Sequence, residues 1–224
     1  MKVLSFPHGE VRFCDCIEGM KELGDKSWDL CFTDPPYNID FSSEYDLDSV
    51  AYVDDIPDYR DFCVKWFAGA TRACNGLAFT PGMSNLFFWI RHEMPPYQLR
   101  FWYKPNACGY DLIEPFLLYG KVPNVSRLRR CFVFAKETAR KGFAHPTIKQ
   151  HDAWSYCIEK LRPESVLDPF IGSGTTARSC EEFGIPWLGF EIEERYARDI
   201  EMNVAAGIAS FAARQAEGRQ KALF

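Results

Sequence analysis

Apolar residues in this chain fall into two kinds of run: short clusters of four to six, and longer stretches with a three-to-four-residue spacing. Trp28 to Thr33 is a short, mostly apolar run stopped by Asp34-Pro35-Pro36. It predicts a buried strand, because two successive prolines cannot continue a sheet ladder. Tyr59 to Arg72 places apolar residues at 62, 63, 66, 67 and 70, the stripe of a helix. Leu77 to Thr80, Leu86 to Ile90, Leu99 to Tyr103, Glu114 to Tyr119 and Cys131 to Ala135 read as further strands.

The pattern is clearest in the last third. His151 to Leu161 is helical, Ser165 to Asp168 a strand, Gly172-Ser173-Gly174 a turn, Thr175 to Phe183 a helix, and Pro186 to Phe190 a strand ending in Glu191. Glu193 to Asn203 closes the pattern as a helix, and the Ala-rich tail from Ala205 to Phe224 reads as helical. Strands separated by helices of about ten residues predict an α/β fold with a mostly parallel, seven-stranded sheet and helices on both faces. Ligands of such sheets bind at the carboxyl ends of the strands.

At 224 residues the chain reads as a single domain, 1–224. A composition of 47% hydrophobic and 25% charged residues excludes disordered and fibrous classes. No apolar run reaches the 18 or so residues a membrane helix needs, and Met1 to Leu4 is followed by Pro7, His8 and Glu10 rather than by a signal core. A cytoplasmic location is therefore expected. The nine cysteines form no C-x-x-C pair and have no His at zinc spacing, so reduced thiols and no metal site are expected.

The net charge of −5 hides a strong segregation. Between Thr33 and Asp61 nine acids face one base, and between Lys121 and Lys149 eight bases face one acid. The second block offers a surface for an anionic partner despite the overall sign.

Two segments carry chemistry. In Asp168-Pro169-Phe170-Ile171-Gly172-Ser173-Gly174-Thr175 two glycines stand where a strand turns into a helix, letting backbone amides approach a ligand. Glu191 follows Gly172 by nineteen residues at the end of the next strand, where a carboxylate can accept both hydroxyls of a ribose. An adenosine-containing cofactor in a Rossmann-like site follows. Gly172-x-Gly174-x-x-Ala177 also fits the NAD fingerprint. Asp168 directly ahead of the glycines suits an ammonium group better than a pyrophosphate, which favours S-adenosylmethionine.

In Thr33-Asp34-Pro35-Pro36-Tyr37-Asn38 the prolines lock the backbone so that the Asp34 carboxylate and the Pro35 carbonyl can serve the two hydrogens of one exocyclic amine. Tyr37 adds an aromatic face for a flat base. A proline-stiffened loop with a capping Asp would have no need of that aromatic.

With these motifs the chain resembles the amino-group DNA methyltransferases, which modify adenine N6 or cytosine N4. The catalytic motif Asp34-Pro35-Pro36-Tyr37 precedes the cofactor motif Asp168 to Thr175, as in the circularly permuted β group. The resemblance covers roughly Phe13 to Asn203. It implies a Rossmann-like S-adenosylmethionine-dependent methyltransferase fold and direct methyl displacement with no covalent enzyme intermediate.

The resemblance also implies site residues. Asp34, Pro35, Pro36 and Tyr37 would be catalytic. Asp15 and Cys16, with Cys14 in place of the family's glycine, would contact the adenine of the cofactor. His145, Thr147 and Lys149, with Gln150 in place of a proline, would hold its methionine moiety, Lys149 reaching for the carboxylate. Asp168, Phe170, Gly172, Ser173, Gly174, Thr175 and Glu191 complete the cofactor site.

The target base would be flipped out of double-stranded DNA and stacked on Tyr37, with Phe41 or Tyr45 closing the sandwich. A small target-recognition insertion within about 104–144 would read the duplex through Lys104, Lys121, Arg127, Arg129 and Arg130. That span is short for a duplex reader, which points to a small site, a homodimer or a companion specificity subunit. An Asp opening the catalytic motif leans toward adenine N6, whereas Ser is commoner among cytosine N4 enzymes. The alternatives are cytosine N4, an inactive DNA-binding partner subunit, an RNA or protein amine methyltransferase, and a NAD-dependent enzyme. The resemblance implies a prokaryotic or phage-encoded protein of the restriction-modification type.

Overall fold

A computed structural model describes residues 1–38, 56–92, 96–107, 109–135, 142–145 and 147–221. Phe41, Tyr45 and most of the acidic block lie outside the described residues, as do Pro146 and the bases at 136, 140 and 141.

Strands β1 (Lys2–Ser5) and β2 (Gly9–Phe13) lead into α1 (Cys16–Lys21). Then come β3 (Trp28–Thr33), α2 (Tyr59–Ala73), β4 (Cys74–Phe79), α3 (Gly82–His92) and β5 (Gln98–Tyr103). They are followed by β6 (Ile113–Gly120), β7 (Cys131–Val133), α4 (His151–Leu161), β8 (Val166–Asp168), α5 (Thr175–Phe183), β9 (Trp187–Glu191) and α6 (Ala197–Lys221).

The strands form one sheet in the order β1-β2-β9-β8-β3-β4-β6-β5-β7. It has nine strands where seven were expected. β1 and β2 were not read from the sequence because their register against each other and β9, rather than a strong apolar run, makes them strands. Five of the eight pairings are parallel. β3 lies beside β8, so the end of the catalytic-motif strand abuts the end of the glycine-turn strand although 135 residues separate Thr33 from Asp168.

Alternation along the strands sorts the core into two layers. Leu30, Phe32, Phe116 and Leu118 face α4, α5 and α6 with Trp154, Ile158, Ala177 and Ile200. Cys31, Phe79, Leu117 and Tyr119 face α1, α2 and α3 with Met20, Trp66, Phe67 and Trp89. Trp66, Phe79 and Trp89 meet edge-on at 4.8–5.5 Å between centroids, a geometry that adds to the area each ring buries.

One expected strand is a helix. Leu86 to Ile90 lies inside α3, where Trp89 is fully buried while Phe87 is 72% exposed. A five-residue apolar run satisfies either period, and here the inward face is one residue in three or four, not one in two. The 104–144 span supplies β6 and β7 to the sheet. No helix among the described residues is long and apolar enough to cross a membrane, and the eight described cysteines are free thiols.

Candidate active site

Asp34 follows the last residue of β3, at the carboxyl end of the parallel strands. Its Oδ1 accepts hydrogen bonds from Tyr37 Oη at 2.5 Å and Thr80 Oγ1 at 2.5 Å, and the Lys149 ammonium stands 3.0 Å away. Its Oδ2 has no partner among the described residues, and neither has the Pro35 carbonyl. Two acceptors are thus left over at a turn whose remaining groups are engaged.

Glu114, at the start of β6, organises the cluster from below. It is buried, with Oε1 accepting from Lys149 Nζ at 2.6 Å and lying 2.7 Å from Tyr37 Oη, whose single proton serves either this oxygen or Asp34 Oδ1, and with Oε2 accepting from Lys104 Nζ. Burial raises the Glu114 pKa, but the Lys149 and Lys104 ammoniums outweigh it and hold the carboxyl well below the usual range. Burial pushes Asp34 up, opposed by Lys149 and reinforced by the Glu114 charge.

These contacts place three of the residues named from the sequence. Lys149 donates to Tyr37 and Glu114 and pairs with Asp34 at 3.0 Å, so in this structure it faces the Asp34 turn and not the glycine turn. Lys104 is 6% exposed and paired with Glu114, so it is no phosphate contact. Tyr37 is anchored by its hydroxyl, with its ring against Gly82, where an added Cβ would lie 3.0 Å from the ring, and with Lys149 Nζ 5.0 Å from its centroid. Glu114 and Thr80 were missed. An acid opening the otherwise apolar run Glu114 to Tyr119 was the available signal.

The second cluster lies one strand over. Asp168 at the end of β8 accepts from Thr33 Oγ1 and from Phe170 N, and burial pushes it up to about 6. Gly172 and Gly174 have φ of +51° and +86°, conformations that side chains rarely adopt. An added Cβ at Gly172 would stand 3.0 Å from His145 Nε2, and at Gly174 3.1 Å from Ile200 Cα. Asn203 holds the Ser173 carbonyl, and the buried Thr175 opens α5.

Glu191 at the end of β9 accepts from Gly172 N and Glu193 N at 2.9 Å each, and burial pushes it up to about 7. His145 packs on Tyr196 at 4.5 Å, accepts from Thr147 N at Nδ1, and is pushed down to about 4 by burial. Asp199 fixes the Ala144 and His145 amides. Asp15 caps α1 by accepting from Ile17 N and Glu18 N, while Cys16 is buried in the core. Phe170 packs edge-on to Trp66 at 5.5 Å.

Lys121, Arg127, Arg129 and Arg130 are exposed and lie apart from this centre. Lys121 donates its amide to Asn75 O near the amino end of β4, and Arg129 and Arg130 enter β7, the far edge strand. Four strand spacings separate β7 from β3, or about 19 Å at ~4.8 Å each. Among the described residues no group of three or more His, Cys, Asp or Glu could hold a metal.

The family model described as "DNA methylase" matches residues 119–202. Type II methyltransferase M.HinfI of Haemophilus influenzae is 26% identical over 81% of this chain and 64% of its own length. M.BamHI of Bacillus amyloliquefaciens is 27% identical over 82% of this chain and 54% of its own. The chain is thus similar to a DNA methylase family over residues 119–202 and to two type II methyltransferases over about four fifths of its length. It spans between about half and two thirds of the length of these two curated relatives. Its fold matches that of the PvuII DNA methyltransferase (cytosine-N4-specific), with a TM-score of 0.67 at 15% identity over 88% of this chain and 86% of that one. It also matches M1.HpyAVI in its complex with S-adenosylmethionine, with a TM-score of 0.63 at 18% identity over 88% and 98%. The architecture is that of the S-adenosylmethionine-dependent methyltransferases.

Proposed function

We propose that this chain transfers a methyl group from S-adenosylmethionine to an exocyclic amino nitrogen of a base in double-stranded DNA, and that the base is adenine, methylated at N6. The observation that carries the reading is the division of labour on Asp34. Oδ1 is saturated by Tyr37, Thr80 and Lys149, while Oδ2 and the Pro35 carbonyl remain available as acceptors. An exocyclic aryl amine is a poor nucleophile because its lone pair is delocalised. Two acceptors at its two hydrogens favour the tetrahedral nitrogen and the positive charge that builds up as it reacts.

The second cluster fits the cofactor. Two glycines leave space that any side chain would fill, and among the described residues Asp168 and Glu191 are buried carboxylates with no cationic partner, an acceptor set suited to an ammonium and to ribose hydroxyls. Bound S-adenosylmethionine supplies a sulfonium methyl to this centre. Asp168, Gly172, Ser173, Gly174, Thr175, Glu191, Phe170, His145 and Thr147 would hold it, with Asp15 and Cys16 toward the adenine. Thr33 links the two clusters through its bond to Asp168, so the amine acceptors and the cofactor turn share one rigid strand pair.

Asp at the head of the catalytic motif supports adenine. Cytosine N4 is the second reading, supported by the fold likeness to the PvuII enzyme. Incubation with labelled S-adenosylmethionine and unmethylated duplex DNA, digestion to nucleosides and mass identification decides between them. N6-methyladenine is the expected product and N4-methylcytosine would replace it by the second reading. No methylated nucleoside from a cofactor-loaded protein would overturn both and leave the inactive-partner reading.

A further inference from the structure

Arg100 of β5 is 7% exposed, and every acceptor around its guanidinium is neutral. Nε donates to Leu128 O at 3.2 Å, one terminal nitrogen to Leu99 O at 2.9 Å, and the other to Gln98 Oε1 at 2.5 Å and Val125 O at 3.3 Å. No carboxylate lies within ion-pair distance of Arg100, Arg129 or Arg130 among the described residues. A buried cation normally has a counter-charge, because removing it from water costs several kcal/mol that neutral carbonyls return only in part. Here the neighbouring charge has the same sign: burial lowers the Arg100 pKa and Arg130 lowers it further.

The guanidinium lines a groove of about 740 Å³ together with Gln98, Ser126, Arg129 and Arg130. Three arginines, a hydroxyl and a carboxamide with no acid among them form a donor-rich, anion-selective surface. The groove is at β5, three strand spacings or about 14 Å from β3. That is within the width of a duplex whose extruded base reaches Asp34.

We infer that this groove binds a phosphate group, supplied by the backbone of the DNA flanking the target base. The assignment of DNA as the source rests on the proposed function; the phosphate chemistry does not. Arg100 is the fixed charge at its base and Arg129 and Arg130 close over the phosphate.

The test uses the surface pair, since Arg100 is part of the packing. Binding of a fluorescent duplex to the wild type and to the Arg129→Gln/Arg130→Gln variant is measured from 50 to 200 mM salt, with thermal unfolding to show that the variant is folded. Thermal unfolding is repeated in inorganic phosphate against chloride of matched ionic strength. The expected result is a log-log salt slope shallower by about 1–2 and affinity weaker by about tenfold at 100 mM. A phosphate-dependent rise in Tm that the variant lacks, with unchanged DNA binding, supports the groove and assigns it to free phosphate. Equal DNA slopes and equal phosphate responses overturn it. The wild-type nucleoside assay separates the two readings: product formed with equal slopes and responses sinks the groove alone, while no product with a shallower variant slope sinks methyl transfer alone.

Discussion

The Lys149 ammonium stands 3.0 Å from Oδ1 of Asp34 and 2.6 Å from Oε1 of Glu114, so one cation ties the proline turn after β3 to the start of β6. It lowers the Asp34 pKa against the upward push of burial.

Removing that cation should therefore raise the Asp34 pKa. In Lys149→Met the acid limb of the methyl-transfer pH profile moves to higher pH, and Lys149→Arg restores part of the shift. Profiles of kcat for the three proteins check this. An unmoved acid limb in Lys149→Met would show that Lys149 does not set the Asp34 charge.

Glu114 neutralises two ammoniums in a buried setting. Glu114→Gln leaves Lys104 and Lys149 short of counter-charge and should cost about 3 kcal/mol by the cost of breaking buried pairs. Urea unfolding measures it, and a loss under about 1 kcal/mol would mean that water or Asp34 compensates.

Glu191 titrates at about 7 in the folded chain and near 4.3 when unfolded. Between those values the folded state keeps a proton the unfolded state has released. This contribution is present below the unfolded pKa and is lost as pH rises through about 7, an amount of roughly 3–4 kcal/mol. His145 acts in the opposite direction from about pH 4 to its unfolded value near 6.5, so the clean comparison is with a variant that cannot titrate at 191. From pH 5 to pH 8 Glu191→Gln should lose less stability in urea than the wild type. Equal losses would place the proton elsewhere.

Gly174 opens α5 with φ of +86° and 3.1 Å of space for a Cβ before Ile200 Cα. Gly174→Ala should cost about 1–3 kcal/mol and lower Tm by several degrees, with weakened S-adenosylmethionine binding by calorimetry. Retained Tm together with retained affinity would show that the turn relaxes.

Much of the fold and of the candidate site was legible because the signals are local. Two prolines must end β3, two glycines must carry positive φ between β8 and α5, and both motifs fall at strand ends whatever else the chain does. The alternation of apolar runs with helical stripes dictated a mostly parallel sheet with two covered faces.

What only the tertiary structure decided depends on residues far apart in the chain. α3 is a helix because Trp89 finds Trp66 and Phe79, a contact that a five-residue run does not encode. Lys149 belongs to Asp34 and Lys104 to Glu114 because β6 runs antiparallel beside β4 and brings an acid to the catalytic end. Charge along a sequence is additive, whereas a pair of charges acts only at its distance and burial. The basic block therefore divides in space into a buried cation paired with Asp34 and Glu114 and an exposed edge, although its residues share one stretch of chain.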